Sequence, residues 1–136
     1  MVVRMVQHPE IRRAIAVSLG AIAGALTRYY LTLWFASRFG TGFPYGTFFI
    51  NVTGCFAMGF LTTVFVQKVN LISPELSLII FTGFLGAYTT FSTYGIDSVN
   101  LWRNASLFTA IFYWAGSAFL GILAVQLGII LGMRLK

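Results

Sequence analysis

The sequence predicts an all-α membrane protein that crosses the lipid bilayer four times within a single domain, residues 1–136. Its composition supports this prediction in two ways: 58% of the 136 residues are hydrophobic and only 9% are charged, whereas about 25% of residues are charged in soluble domains. In addition, four apolar stretches each exceed the roughly 20 residues that a helix needs to cross a bilayer. We therefore expect four transmembrane helices, at about residues 14–39, 47–69, 74–100 and 105–133.

The first two predicted spans are separated by a turn. Residues 1–13 contain too many polar side chains to span, so we expect a tail or an interfacial lead-in there; they also lack the small-residue cleavage site of a secretory signal. Residues 40–46 contain three glycines and one proline. This composition is typical of a turn that ends one helix and begins the next.

The third predicted span begins at a clear helix start and contains an unusual stretch. Pro74 and Glu75 place a proline in the first turn and an acid near the positive end of the helix dipole. Residues 83–95 then combine three glycines, four Ser or Thr residues and four aromatic residues. Membrane helices lose regularity mainly where the backbone lines a cavity or binds an ion. We therefore expect the third helix to be broken near its middle.

The basic residues predict topology rather than nucleic-acid binding. They lie near segment ends and form no dense stripe of the kind that phosphate contacts require, so we expect no nucleic-acid partner. Six bases fall on the side of the termini and the second loop, against two on the other side, which predicts cytoplasmic termini in a multi-pass protein of the cell (inner or plasma) membrane. The six are Arg4, Arg12, Arg13, Lys68, Arg134 and Lys136, and the two are Arg38 and Arg103.

The acidic residues exclude several functions. Glu10, Glu75 and Asp97 lie in the tail or near predicted segment ends, so no carboxylate is expected in the middle of a span. Proton-coupled antiport relies on buried acids or histidines. With one cysteine and one histidine in the chain, there is also no metal-ligand cluster or catalytic constellation. We therefore predict that the protein is not an enzyme.

The polar residues inside the predicted spans are neutral and rich in donors. Thr47 and Asn51 are four residues apart, as are Tyr113 and Ser117, so each pair shares a helix face. For any single residue, bonding to the preceding turn or holding helices together is the better interpretation. Polar side chains on three helices together favour a polar track: Thr47, Asn51, Thr53, Thr89, Thr90, Ser92, Thr93, Tyr113 and Ser117. Four short helices enclose little polar volume, so we expect a symmetric homodimer.

Three further features indicate ion binding. The ring edges of Phe91 and Tyr94, three residues apart on one side of a helix, carry partial positive charge suited to an anion. Backbone carbonyls at a helix break are suitable ligands for a hard cation. Arg28 lies inside the first span, where a guanidinium either reaches a water-filled vestibule or anchors the helix at the interface. The sequence alone leaves both roles of Arg28 open.

Three segments closely resemble the Fluc-type fluoride channels. They are residues 20–29 (GAIAGALTRY), 46–54 (GTFFINVTG) and 83–94 (GFLGAYTTFSTY), in three of the four predicted spans. The resemblance implies an antiparallel, dual-topology homodimer with two fluoride pores and a sodium ion at the dimer axis. The implied sodium ligands are the carbonyl oxygens of Gly86 and Thr89 from both subunits. The implied fluoride pathway comprises Asn51, Phe91, Tyr94, Thr47, Ser92, Thr93, Tyr113 and Ser117, with Arg28 near a pore mouth.

The chain departs from the family pattern at two positions. It has Gly86-Ala87 where many relatives have two glycines, and Tyr94 where they commonly have phenylalanine. Alanine should keep the carbonyl geometry, whereas the hydroxyl of Tyr94 makes that ring a less secure ligand than Phe91. Dual topology also differs from the single orientation that the charge bias favours, and we give the motifs more weight.

The resemblance predicts a passive, fluoride-selective channel that lets fluoride leave the cytoplasm and so relieves its toxicity. One alternative is a small dimeric multidrug or cation exporter of similar size. Such an exporter needs an acid in its first span, and residues 11–39 contain none. The other alternative is a membrane subunit with no transport role, in which the polar residues would only hold helices together.

Overall fold

The computed structural model describes residues 8–67 and 72–135, and every regular element in these residues is a helix. Four helical segments are long and apolar enough to cross a membrane, which confirms the predicted number of spans. They are α1 (Pro9–Phe39), α2 (Tyr45–Gln67), the third span Pro74–Asn104, and α5 (Leu107–Met133). The third span divides into α3, which comprises Pro74–Ser77, the π-helical Leu78–Leu85 and Gly86–Tyr88, and α4 (Phe91–Asn104).

The start of α1 lies ahead of the first predicted span. The helix begins at Pro9, with proline at a first position that needs no N–H donor, so residues 9–13, the end of the expected tail or interfacial lead-in, are helical and continuous with the first span. Arg12 Nη2 lies 2.6 Å from Glu75 Oε1 at the start of α3, and Arg13 pairs with Glu10. Residues 1–7 of the predicted tail and the predicted end of the second span, residues 68–69, lie outside the described residues. So do Arg4 and Lys136 from the charge count.

The third span is broken near its middle, as predicted. Ser73 caps α3 by accepting a hydrogen bond from the Leu76 amide at 3.2 Å. The helix continues through Gly86, which has helical φ and ψ of −63° and −34°. The backbone becomes extended only at Thr89 (φ −81°, ψ 160°) and Thr90 (φ −150°, ψ 120°). The break therefore lies at the two threonines, inside the stretch 83–95 that predicted it, while Gly86 stays helical.

Glycines bring the helices together in two closely packed pairs. A methyl group added at Gly24 of α1 would lie 2.2 Å from the backbone oxygen of Phe84 in α3. One added at Gly128 of α5 would lie 2.3 Å from the backbone oxygen of Phe56 in α2. Such contacts are typical of membrane helices, since lipid provides no hydrophobic drive for association. The pairs α1–α3 and α2–α5 frame the break.

The last two helices pack around a small aromatic core. Tyr94, Leu101, Ala110 and Tyr113 form one buried cluster between α4 and α5. Residues 101–104, which separate the third and fourth predicted spans, form the last turn of α4. The fourth span then begins at Leu107, where Ser106 accepts a hydrogen bond from the Thr109 amide at 3.0 Å. This core fixes α4 against α5 and thereby positions the polar groups at the break.

Candidate functional site

The break in the third span is held by one side chain from α2. The Thr90 amide donates to Asn51 Oδ1 at 2.8 Å, and Asn51 Nδ2 donates to the Thr90 carbonyl at 2.9 Å. Backbone groups that leave a helix inside a membrane need such replacement partners. The carboxamide therefore satisfies both backbone groups of Thr90. Its NH2 group has two hydrogens, so one N–H remains for another partner.

The Thr90 hydroxyl forms the cap of α4. It accepts a hydrogen bond from the Thr93 amide at 3.2 Å and donates to the Thr93 hydroxyl at 3.0 Å, while the Ser92 hydroxyl lies 3.4 Å away. The first turn of a helix carries partial positive charge that favours anions. Ser92 and Thr93, both predicted pathway residues, are exposed on this turn.

A groove with a volume of about 560 Å³ runs alongside the break, between α2, α4 and α5. Four predicted pathway residues lie along it together: Asn51, Phe91, Tyr94 and Ser117. We call it the break groove, and its lining residues are Asn51, Gly54, Cys55, Met58, Thr89, Thr90, Phe91, Tyr94, Trp114, Ser117, Ala118 and Val125. The exposed Ser92 and Thr93 do not line it.

The two predicted ring ligands differ in how firmly they are held. Their ring centroids lie 5.7 Å apart with an interplanar angle of 40°. Tyr94 is buried, and its hydroxyl donates to the Trp114 carbonyl at 2.7 Å. Phe91 is 83% exposed at the edge of the groove. The hydroxyl that distinguishes Tyr94 from phenylalanine is thus engaged by backbone, while nothing within the subunit covers most of Phe91.

Ser117 contributes a hydroxyl that lacks a partner. Its Oγ atom is buried, yet it forms no hydrogen bond within the part of the chain that the structure describes. Buried hydroxyl groups are almost always paired, because an unpaired one costs about 1–3 kcal/mol. Since Ser117 lines the break groove, this hydroxyl is a donor available to a ligand or water there.

Tyr113 and Thr47 lie away from the break groove. Tyr113 is only 1% exposed and borders a separate cavity of about 430 Å³, although it shares a helix face with Ser117 in sequence. Thr47 is buried beside it. The Tyr113 hydroxyl donates to Asp97 Oδ2 at 3.4 Å. Tyr113 and Ser117, which the sequence places on one polar track, therefore border two different cavities.

Asp97 contacts a predicted pathway residue although it was not itself predicted to belong to the site. It lies near the end of the third predicted span, on α4, and its carboxylate accepts a hydrogen bond from the buried Tyr113 of α5. The sequence signal for its place at the site is its spacing from Tyr94. Asp97 follows Tyr94 by three residues and therefore shares its helix face, and Tyr94 is a groove residue.

Arg28 contacts the other carbonyl of the break. Its Nη1 donates to the Thr89 oxygen at 3.2 Å, and no carboxylate within the described ranges pairs with it. Gly86 offers a second carbonyl, because the Thr90 amide, its regular helical donor four residues on, donates to Asn51 instead. Arg28 is thus positioned at the break.

Conventional metal ligands are not gathered in this subunit. Among the described residues, no three His, Cys, Asp or Glu side chains lie together in a way that could hold a metal ion. The oxygens at the break are therefore backbone and hydroxyl groups, which are hard ligands suited to alkali cations rather than transition metals.

Comparison with known proteins agrees with this architecture. Residues 15–129 match the family described as "CrcB-like protein, Camphor Resistance (CrcB)". A protein of Trichormus variabilis named "Fluoride-specific ion channel FluC" is 63% identical over 128 residues, covering 94% of this chain and 93% of the relative. Proteins of the same name from Synechococcus and Synechocystis are 53% and 46% identical, over 90% and 93% of this chain and 94% and 96% of the relatives. The chain belongs to the CrcB-like family.

Proposed function

We propose that this chain forms a passive, fluoride-selective ion channel that lets fluoride leave the cytoplasm across the cell membrane. The observation that carries the proposal is the 63% identity, over nearly the whole of both chains, to a relative named as a fluoride-specific ion channel. The channel needs no enzymatic step and no energy coupling. It protects the cell because fluoride flows down its own gradient.

The chemistry of the break groove supports this function. Fluoride gives up its hydration water only where protein donors replace it. The groove supplies the remaining N–H of Asn51, the unpaired hydroxyl of Ser117, and the ring edges of Phe91 and Tyr94. None of these groups carries a full charge, so the anion is coordinated without the tight binding to a fixed cation that would slow its release.

Ion efflux from liposomes tests the proposal directly. Purified protein is reconstituted into vesicles loaded with fluoride or chloride, and efflux is followed by electrode with no proton gradient. We expect fast fluoride efflux and at least 100-fold slower chloride efflux. A flux that requires a proton gradient would favour the exporter, and absence of flux from folded protein would favour a non-transporting subunit.

We further propose that the working unit is an antiparallel homodimer. In one subunit the break groove, which Asn51 and Ser117 line, is open on one side, and Phe91 is 83% exposed at its edge. Polar groups open to lipid are costly, and a second copy would cover them with the same kind of surface. An antiparallel arrangement also makes the two grooves of the dimer equivalent from opposite sides of the membrane.

Topology is tested by cysteine labelling in cells. Cys55 is first replaced by alanine, and a single cysteine is placed in the turn at Gly42, where added atoms meet no neighbour. An antiparallel dimer predicts labelling by a membrane-impermeant maleimide from both sides of the membrane. Labelling from one side alone would contradict dual insertion.

The carbonyl oxygens of Gly86 and Thr89 are the proposed ligands of a structural sodium ion at the dimer axis. Gly86 fits this role, because its oxygen has lost its helical donor, the Thr90 amide. Thr89 offers an oxygen that already accepts a hydrogen bond from Arg28. A bound cation would supply a fixed positive charge between the two proposed pores.

A further inference from the structure

Arg28 brings a charged side chain to the break through a hydrogen bond to its backbone. It reaches from α1 to the Thr89 oxygen, 61 residues away in sequence, at 3.2 Å. It is half-buried within a span and has no carboxylate partner among residues 8–67 and 72–135. A guanidinium in this position is costly unless a strong acceptor compensates it. The Thr89 carbonyl is that acceptor.

The same carbonyl ends a helix. Thr89 follows directly after α3, whose last carbonyls carry partial negative charge that attracts cations. Its amide still bonds to the Leu85 oxygen at 3.2 Å, so its own oxygen projects from a fixed helix end. Any free cation drawn to this end meets a site at which a positive charge is already bound.

We propose that Arg28 is a positioning residue that sets the cation affinity of the break. Its guanidinium holds the Thr89 oxygen in place, and its charge weakens the binding of a monovalent cation at that oxygen. Like charges within about 6 Å of each other repel strongly in a partly buried site. This inference deepens the proposed cation site and depends on it.

The experiment measures sodium affinity without measuring transport. Purified protein in detergent is unfolded thermally while Na⁺ replaces N-methyl-glucamine at constant ionic strength, and the half-saturating Na⁺ concentration is read from the rise in Tm. We expect Arg28→Gln to lower this concentration at least tenfold. Arg28→Met, a second neutral variant, should do the same and covers the case in which the glutamine variant fails to fold.

Two controls separate charge removal at the break from general effects. Arg38→Gln removes an exposed arginine from the last turn of the same helix and should leave the half-saturating concentration unchanged. Arg28→Lys keeps the charge and should stay within threefold of the native protein.

Two results would overturn the inference. An unchanged or weaker sodium affinity in the neutral variants, with a normal response in the native protein, would overturn it alone. If no protein responds to Na⁺, the inference and the proposed sodium site both fail, while the fluoride channel is still judged by efflux.

Discussion

Replacing Asn51 by leucine should disrupt the break and stop fluoride permeation. Leucine has a similar size but can neither donate to nor accept from Thr90. The substitution therefore removes the hydrogen bonds of 2.8 Å and 2.9 Å that satisfy the Thr90 amide and carbonyl. Both groups then stay unpaired next to an apolar side chain, and the break groove loses its amide donor.

The magnitude follows from the two lost partners. Each unsatisfied buried group costs about 1–3 kcal/mol, so the sum is about 2–6 kcal/mol. Taking about 3 °C per kcal/mol for a chain of this size, Tm should fall by at least about 6 °C. Thermal unfolding in detergent measures the stability, and electrode-detected efflux from liposomes should show at least a 100-fold loss of fluoride flux.

Thr53→Val is the matched control, since Thr53 lies on the same helix and does not line the groove. Its hydroxyl is 2.8 Å from the Tyr88 hydroxyl and thus also links α2 to the third span. The valine variant should lose some stability, by about 1–3 kcal/mol, but keep fluoride efflux within threefold of native. The reasoning would be refuted if Asn51→Leu kept both its Tm and its flux.

Three further substitutions test the rings and the packing. Phe91→Ile should abolish fluoride efflux while the dimer stays intact on size-exclusion chromatography. Phe108→Ile changes an equally exposed ring outside the groove and should keep fluoride efflux. Full flux in the Phe91 variant would reject the ring-edge role. Tyr94→Phe removes one hydrogen bond to α5, so Tm should drop by a few degrees with efflux within threefold, and loss of flux would show that the hydroxyl is needed. Gly24→Ala should lower Tm by more than 5 °C because its methyl meets backbone, while Gly116→Ala, in open space, should be neutral or slightly stabilising; equal Tm values would exclude tight α1–α3 packing.

The spans could be predicted from the sequence because hydropathy and helix caps are local. Apolar stretches and the Ser73-Pro74 start needed no tertiary information, and the structure has a helix in each predicted span. The position of the break was harder. Glycine is unfavourable in isolated helices, yet Gly83 and Gly86 are both helical here and the backbone becomes extended only at Thr89 and Thr90. In this bundle Gly83 instead allows close approach, since an added methyl group would lie 2.6 Å from the Val17 oxygen of α1.

The contacts at the break could not be predicted because they join distant parts of the chain. Asn51 is 39 residues from Thr90, and Arg28 is 61 residues from Thr89. Hydropathy and spacing identify residues that share one helix face but not the face of another helix that they meet. The residue types at the candidate site were therefore predictable, whereas their partners required the packed structure.

Some of the polar groups at the break have a hydrogen-bond partner within the subunit, and others have none among the described residues. Asn51 satisfies both groups of Thr90, and Arg28 satisfies the carbonyl of Thr89. The Gly86 oxygen has lost its helical donor, the Thr90 amide, and the Ser117 hydroxyl has no partner among the described residues. A hydrocarbon environment can satisfy neither. The Gly86 oxygen is an acceptor that needs a donor or a cation, and the Ser117 hydroxyl is a donor that needs an acceptor such as an anion. A subunit alone in the bilayer therefore lacks the partners that the proposed dimer and its ions would supply.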